Sequence, residues 1–532
     1  MMSIHTIIIA ADLTDEALRL LNAADDMTVE VVSPSAPSLR EKIKRAHAVI
    51  SREDVPLDAD LIASAKNLRV IGRLGASVSG IDLDAATAHG IIVTNTPGAN
   101  AVAAAELTLT LMLALSRRLI SAHTSLREGF WLLDRKAKQG TQLGGKTLGV
   151  VGYGRVGRLV AGYALALGMN VVAYDPYVGE SQRDDERVSL VTLRELVAGS
   201  DIVTLHAPPT RETRGMLGEA LIGQMKPGAM LINAAHGSLV DDRALAEAIR
   251  AGRLAGAAVD VYPEEPPYNS PLIGMEQVIH TPHIGDNTVE AAQGVSLLIA
   301  TQVVDALRGD DYRNVVNLPF IPGMDYEQIH PSLKLAEHIG ALQTALARSP
   351  IRKVAVEYRG EEMSGLVKPL TVALLRGLLA PALGEKVNYI NAPVLAQERN
   401  ITVTQAKGLK TGDYSNLVSC EVTWESGSTV VMAGTLLDAR EPHIVQMDQY
   451  RMNFVPEGYL LFMGSYDQPG VIGKVGTFMA ENGVNIASWQ TGRAEPGGNT
   501  LTVMTLDAPI DEALLEALRS KEFVRHAVQI RL

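Results

Sequence analysis

Cysteine is almost absent: Cys420 is the single one in 532 residues. A disulfide within the chain is therefore excluded, which fits a reducing compartment, the cytoplasm. The segment Leu417-Val418-Ser419-Cys420-Glu421-Val422 alternates like a strand, so the thiol is expected to be a small buried apolar group. Aromatic residues make up only 4%, so the cores must be packed from Ala, Val, Leu and Ile. Positive charge is also in short supply. With 48 Lys and Arg against 60 Asp and Glu the net charge is −12, which argues against nucleic acid or an anionic membrane as the main partner. The N-terminus lacks the basic region and apolar core of a signal peptide. The one long apolar stretch, Ala99 to Leu115, contains Glu106 and is too short to span a bilayer. It reads as a buried or interface helix ending at Arg117-Arg118.

Hydrophobic content of 47% and charged content of 20% describe a globular chain that can bury sizeable cores. Since single cores rarely grow past ~250–300 residues, three or four domains are expected. Apolar runs at Thr6–Ala10, Val29–Val32, Ala48–Ile50 and Leu68–Ile71 alternate with helical stretches, the pattern of a parallel α/β sheet. A second α/β unit begins near Thr147. Its expected strands are Leu148–Val151, Val171–Tyr174, Ile202–Leu205, Met230–Asn233, Ala257–Val259 and Val278–His280. After about Arg308 the rhythm is lost. Two helices, near Lys334–Arg348 and Pro369–Leu379, mix with short strands such as Ser428–Met432. The segment from about Glu457 reads strand–helix–strand–strand–helix–strand.

Chemistry enters at Gly152-Tyr153-Gly154-Arg155-Val156-Gly157, between an expected strand and an expected helix. Gly152 permits the tight turn, Gly154 lets a pyrophosphate approach the backbone, and Gly157 lets helix and strand pack closely. Asp175 ends the next strand, placed to accept hydrogen bonds from ribose hydroxyls and to repel a 2′-phosphate. No arginine follows at once, only Pro176 and Tyr177, so NAD is expected rather than NADP.

Two further stretches lie at strand ends, where open parallel sheets bind ligands. They are Asp260-Val261-Tyr262-Pro263-Glu264-Glu265-Pro266-Pro267 and Thr281-Pro282-His283-Ile284-Gly285. With the glycine-rich turn, Asn95-Thr96-Pro97-Gly98-Ala99-Asn100 and Thr204-Leu205-His206-Ala207-Pro208, they resemble the D-isomer-specific 2-hydroxyacid dehydrogenases. The resemblance runs essentially end to end and is nearest to the long-form D-3-phosphoglycerate dehydrogenases. It implies two parallel-sheet α/β domains followed by an α+β intervening domain and a βαββαβ ACT domain. The expected boundaries are 1–98 with 284–316 for substrate binding, 99–283 for NAD, 317–456 for the intervening domain and 457–532 for the ACT domain.

The resemblance also implies roles. His283 is the acid/base that takes the proton of the 2-hydroxyl, and Glu265 fixes its tautomer and stabilises the imidazolium. Arg155, Val156, His206, Pro208 and Asp260 join Gly152, Gly154, Gly157 and Asp175 in holding NAD. Arg52, Arg73, Ser77, Val78 and Asn100 bind a small anionic 2-hydroxy acid. In the stretch Ser465-Tyr466-Asp467-Gln468-Pro469-Gly470 and in Gly483-Val484-Asn485, Asp467 and Asn485 match positions for an amino-acid effector such as serine. A homodimer or homotetramer is implied, and no metal.

The chain departs from the family pattern in Asn233-Ala234-Ala235-His236-Gly237-Ser238, where His236 stands in place of the arginine that clamps the substrate. Arginine offers a permanently charged planar fork; histidine gives at most one donor per ring nitrogen. With charge-assisted bonds worth ~1.5–3 kcal/mol, losing the clamp costs roughly 2–5 kcal/mol, or about 30- to several-thousand-fold in rate. Ser77 and Ser79-Gly80 in the loop Arg73–Asp82, and Asp286-Asn287 after Gly285, depart as well. Three readings stay open: a phosphoglycerate-oxidising enzyme of serine synthesis, a catalytically weakened NAD- and amino-acid-binding sensor or partner subunit, and a dehydrogenase for another D-2-hydroxy acid.

Overall fold

The computed structural model describes residues 4–131, 139–318, 326–347, 349–360, 365–408, 414–438 and 440–532. Two compact units emerge. One combines Met1–Asp12, Leu21–Asn95 and Ile299–Leu532; the other combines Leu13–Leu20 and Thr96–Leu298.

The first unit opens with a five-stranded parallel sheet in the order Met27–Val31, His5–Ala10, Ala48–Ser51, Val70–Arg73, Ile92–Asn95. Its central strands are buried on both faces, so they read in sequence as unbroken apolar runs. Ile8, Val49, Ile71 and Val93 pack one face against Ile43, Leu61 and Ala86. The last strand is completed from far along the chain: the Val316 amide donates to the Val93 carbonyl at 2.7 Å, and the Thr94 hydroxyl donates to the Asn314 carbonyl across 220 residues.

The region expected to mix two helices with short strands is a continuous six-stranded sheet. Its order is Thr402–Gly408, Ile351–Arg359, Leu417–Trp424, Thr429–Leu437, Glu441–Met447, Tyr450–Phe454. Only the first pair is parallel. The helices Tyr326–Ala345 and Val367–Leu383 supply much of its core, and Cys420 is buried there. Burial pushes the Cys420 thiol up to about 12, so it packs as an apolar group. The last sheet has the order Ile486–Arg493, Asn499–Leu506, Tyr459–Tyr466, Val524–Arg531, with helices Val471–Glu481 and Glu512–Arg519. This is the βαββαβ arrangement expected from the sequence.

The second unit is built on a seven-stranded parallel sheet: Val278–His280, Leu254–Val259, Ala229–Asn233, Ile202–Leu205, Thr147–Val151, Asn170–Tyr174, Val188–Leu190. Both faces are covered. Val160, Ala164, Leu111 and Met112 pack on one side, and Leu196, Leu245 and Ile249 on the other. The strand order reverses at Thr147–Val151, so the crevice for a ligand opens at the C-terminal end of that strand. Among the described residues no helix is long and apolar enough to cross a membrane.

Candidate active site

The glycine-rich turn sits at this crevice. Gly152 has φ 92°, and a Cβ there would lie 2.6 Å from the His206 carbonyl carbon. A Cβ on Gly157 would lie 2.1 Å from the Gly152 oxygen, so the helix Arg155–Ala166 can approach its strand only without one. Gly154 is the N-cap of that helix, makes no side-chain cap bond, and a Cβ there would meet nothing within 4 Å. Open space at the N-cap of an uncapped helix makes a cradle suited to a pyrophosphate. Asp175 accepts from the Tyr153 amide at 2.9 Å through one oxygen and from the Tyr177 amide at 3.0 Å through the other. A carboxylate has about four acceptor sites, which leaves capacity for ribose hydroxyls.

Around this turn, Arg155 is exposed and donates to the Pro97 carbonyl, and Val156 is half-buried. His206 Nε2 lies 3.0 Å from the Thr204 hydroxyl, and burial pushes its imidazole down to about 3, so it is neutral near pH 7. Pro208 is exposed, and its carbonyl accepts from the Thr213 hydroxyl at 2.6 Å.

His283 lies beyond the strand Val278–His280, with φ 52°, a left-handed conformation that costs a non-glycine residue roughly 1–2 kcal/mol. It is held there by Asp260, which is fully buried. The Asp260 carbonyl accepts from the His283 amide at 2.9 Å. Its carboxylate accepts from the Ile284 amide through one oxygen and the Gly285 amide through the other, both at 2.9 Å. Sequence reasoning assigns Asp260 to the cofactor; in the structure its side chain is engaged in shaping the His283 turn.

His283 Nδ1 lies 2.8 Å from one oxygen of Glu265, and the other oxygen accepts from the Tyr262 amide at 3.0 Å. The carboxylate can only accept, so Nδ1 carries the proton and Nε2 is left to exchange one. Burial acts to lower the His283 pKa, but the hydrogen bond and charge of Glu265, reinforced by Asp260 and Asp286, outweigh it and the net shift is upward. Asp286 is itself tethered by the Asn100 side-chain amide at 3.1 Å. The Tyr262 amide is a part of the site that the sequence does not reveal.

His236 is exposed and follows the strand Ala229–Asn233. Its Nδ1 is 3.0 Å from the Ser238 hydroxyl and accepts from the Ser238 amide at 3.3 Å. Among the described residues no carboxylate forms an ion pair with it.

The remaining substrate candidates belong to the first unit. Arg73 is fully buried; its guanidinium donates to the carbonyls of Arg52 and Val55. Arg52 is exposed and grips Asp54 with two bonds of 2.6 and 2.7 Å. The Ser77 hydroxyl bonds the Glu53 carboxylate at 2.8 Å, and Val78 packs against the sheet core. In the last sheet's domain, Asp467 accepts from the Gly497 amide at 2.9 Å and lines a cavity of about 330 Å³ with Ser465, Gly470, Trp489 and Thr500. Asn485 is not among its lining residues and bonds Asp507 at 2.6 Å.

Residues 109–285 match the D-isomer specific 2-hydroxyacid dehydrogenase NAD binding domain. Residues 328–448 match the D-3-phosphoglycerate dehydrogenase intervening domain, and residues 459–523 the ACT domain. The D-3-phosphoglycerate dehydrogenase of Archaeoglobus fulgidus is 39% identical over 531 residues, covering 99% of this chain and 100% of that protein. The chain belongs to the D-3-phosphoglycerate dehydrogenase family. A second member, from Methanocaldococcus jannaschii, is 37% identical, covering 99% of each chain. A crystal structure of D-lactate dehydrogenase from Aquifex aeolicus, complexed with NAD and lactic acid, aligns with a TM-score of 0.51 at 27% identity, covering 57% of this chain and 96% of that one. The open cradle before the helix Arg155–Ala166 and the carboxylate of Asp175 fit the NAD that the family binds.

Proposed function

We propose that the chain oxidises the 2-hydroxyl of D-3-phosphoglycerate to a ketone, giving 3-phosphohydroxypyruvate, the first step of phosphorylated serine synthesis. The observation that carries this is the His283–Glu265 pair at the C-terminal edge of a nucleotide-type sheet, in a chain similar to D-3-phosphoglycerate dehydrogenases over its whole length. Bound NAD supplies the acceptor for the hydride leaving C2. His283 Nε2 takes the hydroxyl proton, and Glu265 balances the imidazolium that results. His236 offers a donor to the substrate's carboxylate and forming carbonyl. Arg52, Arg73, Ser77 and Val78, together with Asn100, are the groups assigned to the rest of the anionic substrate. Asp467 and Asn485 are assigned to an amino-acid effector such as serine.

The test is NADH formation from D-3-phosphoglycerate by the purified chain and by His236→Arg, with NAD binding checked in both and serine added to a parallel assay. Turnover by the natural protein is expected. If only His236→Arg turns over, the chain is a sensor or partner subunit. If neither reduces NAD with any small D-2-hydroxy acid, the assignment falls.

The raised His283 pKa has a directional consequence. Oxidation needs the neutral imidazole, so the rate rises as pH passes the His283 pKa. In Glu265→Gln the charge that holds this pKa up is gone, and the rising limb of the kcat profile is expected to move to lower pH. An unmoved limb would mean that another group sets it.

We also assign a cytoplasmic homo-oligomer, dimer or tetramer. Ile120 and Leu126, in the helix Leu119–Arg127, are 51% and 59% exposed, and Phe130 and Trp131 just after it are 69% and 77% exposed. Such a cluster of large apolar side chains marks an association surface, and a second copy of the chain is its expected occupant. Light scattering is expected to give a multiple of 56.9 kDa; a monomer rules this out.

A further inference from the structure

His236 does not dangle from its turn. The ring is built into the turn that follows it. His236 is the N-cap of the short 3-10 turn Gly237–Leu239, with its side chain accepting from the Ser238 amide. A backbone amide has only a hydrogen to give, so Nδ1 is an acceptor and carries no proton. In a neutral imidazole the proton then sits on Nε2. The Ser238 hydroxyl, 3.0 Å from the same nitrogen, completes the grip.

The turn has little freedom to release the ring. A Cβ on Gly237 would lie 1.9 Å from the Tyr262 carbonyl carbon, so the turn is pressed against the backbone of the segment that carries Glu265. The His236 carbonyl accepts from the Asn233 side-chain amide at 3.1 Å, and Asn233 is 2% exposed. On the far side, the Gly215 amide donates to the Ser238 carbonyl at 2.7 Å. Ser238 is thus fixed by its own backbone, and the imidazole is fixed by Ser238.

We propose that Ser238 is a positioning residue that holds His236 with Nδ1 engaged by the turn, so that this chain meets its substrate with one oriented Nε2–H donor. The inference rests on the reading of His236 as a substrate-facing group. It deepens that reading in one respect: the turn has already engaged Nδ1, so Nε2 is the nitrogen left to meet the substrate. A single donor on a fixed axis selects for the position of one substrate oxygen.

The experiment has two independent parts. The first uses the full chain with NAD and no substrate, labelled with 15N in its histidine rings. The His236 signals are assigned by their loss in His236→Gln. The Nε2–H tautomer is expected in the natural protein; Ser238→Ala keeps the backbone amide at Nδ1 but loses the hydroxyl, so its Nε2–H fraction is expected to fall, with Ser238→Thr restoring the natural pattern. The second is steady-state kinetics with D-3-phosphoglycerate. Ser238→Ala is expected to raise KM about fivefold, the size of one lost neutral hydrogen bond, with kcat changed less, NAD affinity unchanged and Ser238→Thr near normal. An Nδ1–H tautomer in the natural protein overturns the proposal, as does a Ser238→Ala variant with unaltered tautomer and KM. The tautomer needs no turnover to be read, so failure of the assigned reaction and failure of the positioning role are told apart.

Discussion

Replacing His283 by asparagine is expected to lower kcat about 10²–10⁴-fold, the usual contribution of a positioned acid/base, while leaving NAD affinity and folding close to natural. Asparagine is the informative choice because it tolerates the left-handed backbone that His283 adopts at φ 52°. The amide contacts to Asp260 are made by the backbone of residues 283–285 and survive the change. The glycine-rich turn is untouched. Stopped-flow kinetics with a separate NAD titration checks this. A variant that keeps more than a tenth of natural turnover would show that His283 is not the proton acceptor.

The second large effect is expected at Asp260. Its two carboxylate oxygens satisfy the Ile284 and Gly285 amides. Asp260→Ala leaves both without partners, at about 1–3 kcal/mol each, and loosens the restraint on a strained His283. Chemical denaturation of the second unit should therefore show a loss of roughly 2–6 kcal/mol, with turnover falling as His283 leaves its position. Asp260→Asn keeps one acceptor oxygen and is expected to lose about half as much. If NAD affinity falls while stability holds, Asp260 acts on the cofactor, as the sequence alone suggests.

How legible each part was follows from how its residues are buried. The central strands of the parallel sheets, such as Ile202–Leu205 and Ala229–Asn233, are covered on both faces, so they announce themselves as apolar runs. The edge strand Val188–Leu190 is only three residues long and sends no such signal. In the intervening region the strand Thr402–Gly408 is mostly exposed, so it lacks the alternation that marks a half-buried strand. A six-stranded sheet could not be read from it. The pairing of His283 with Glu265 was expected because the stretches that carry them resemble those of the family and lie at strand ends. The target of Asp260 was not, because it lies 24 and 25 residues away and backbone amides leave no trace in side-chain identity. The His236–Ser238 contact spans two residues, yet it depends on the ring turning back on its own chain, and only coordinates show that.

The closing of the first sheet by residues 314–316 sets a timetable for synthesis. The edge strand Ile92–Asn95 emerges from the ribosome 220 residues before the Asn314 carbonyl it needs. At ~5–20 residues per second that is a delay on the order of ten to forty seconds. During that interval the strand's open side lacks its Val315–Val316 partner. The whole nucleotide-binding unit is made in the meantime and includes only the short piece Leu13–Leu20 from what came before. The order of manufacture is therefore the reverse of the order in the chain: the inserted unit is complete first, and the N-terminal one waits for the ribosome to pass beyond it.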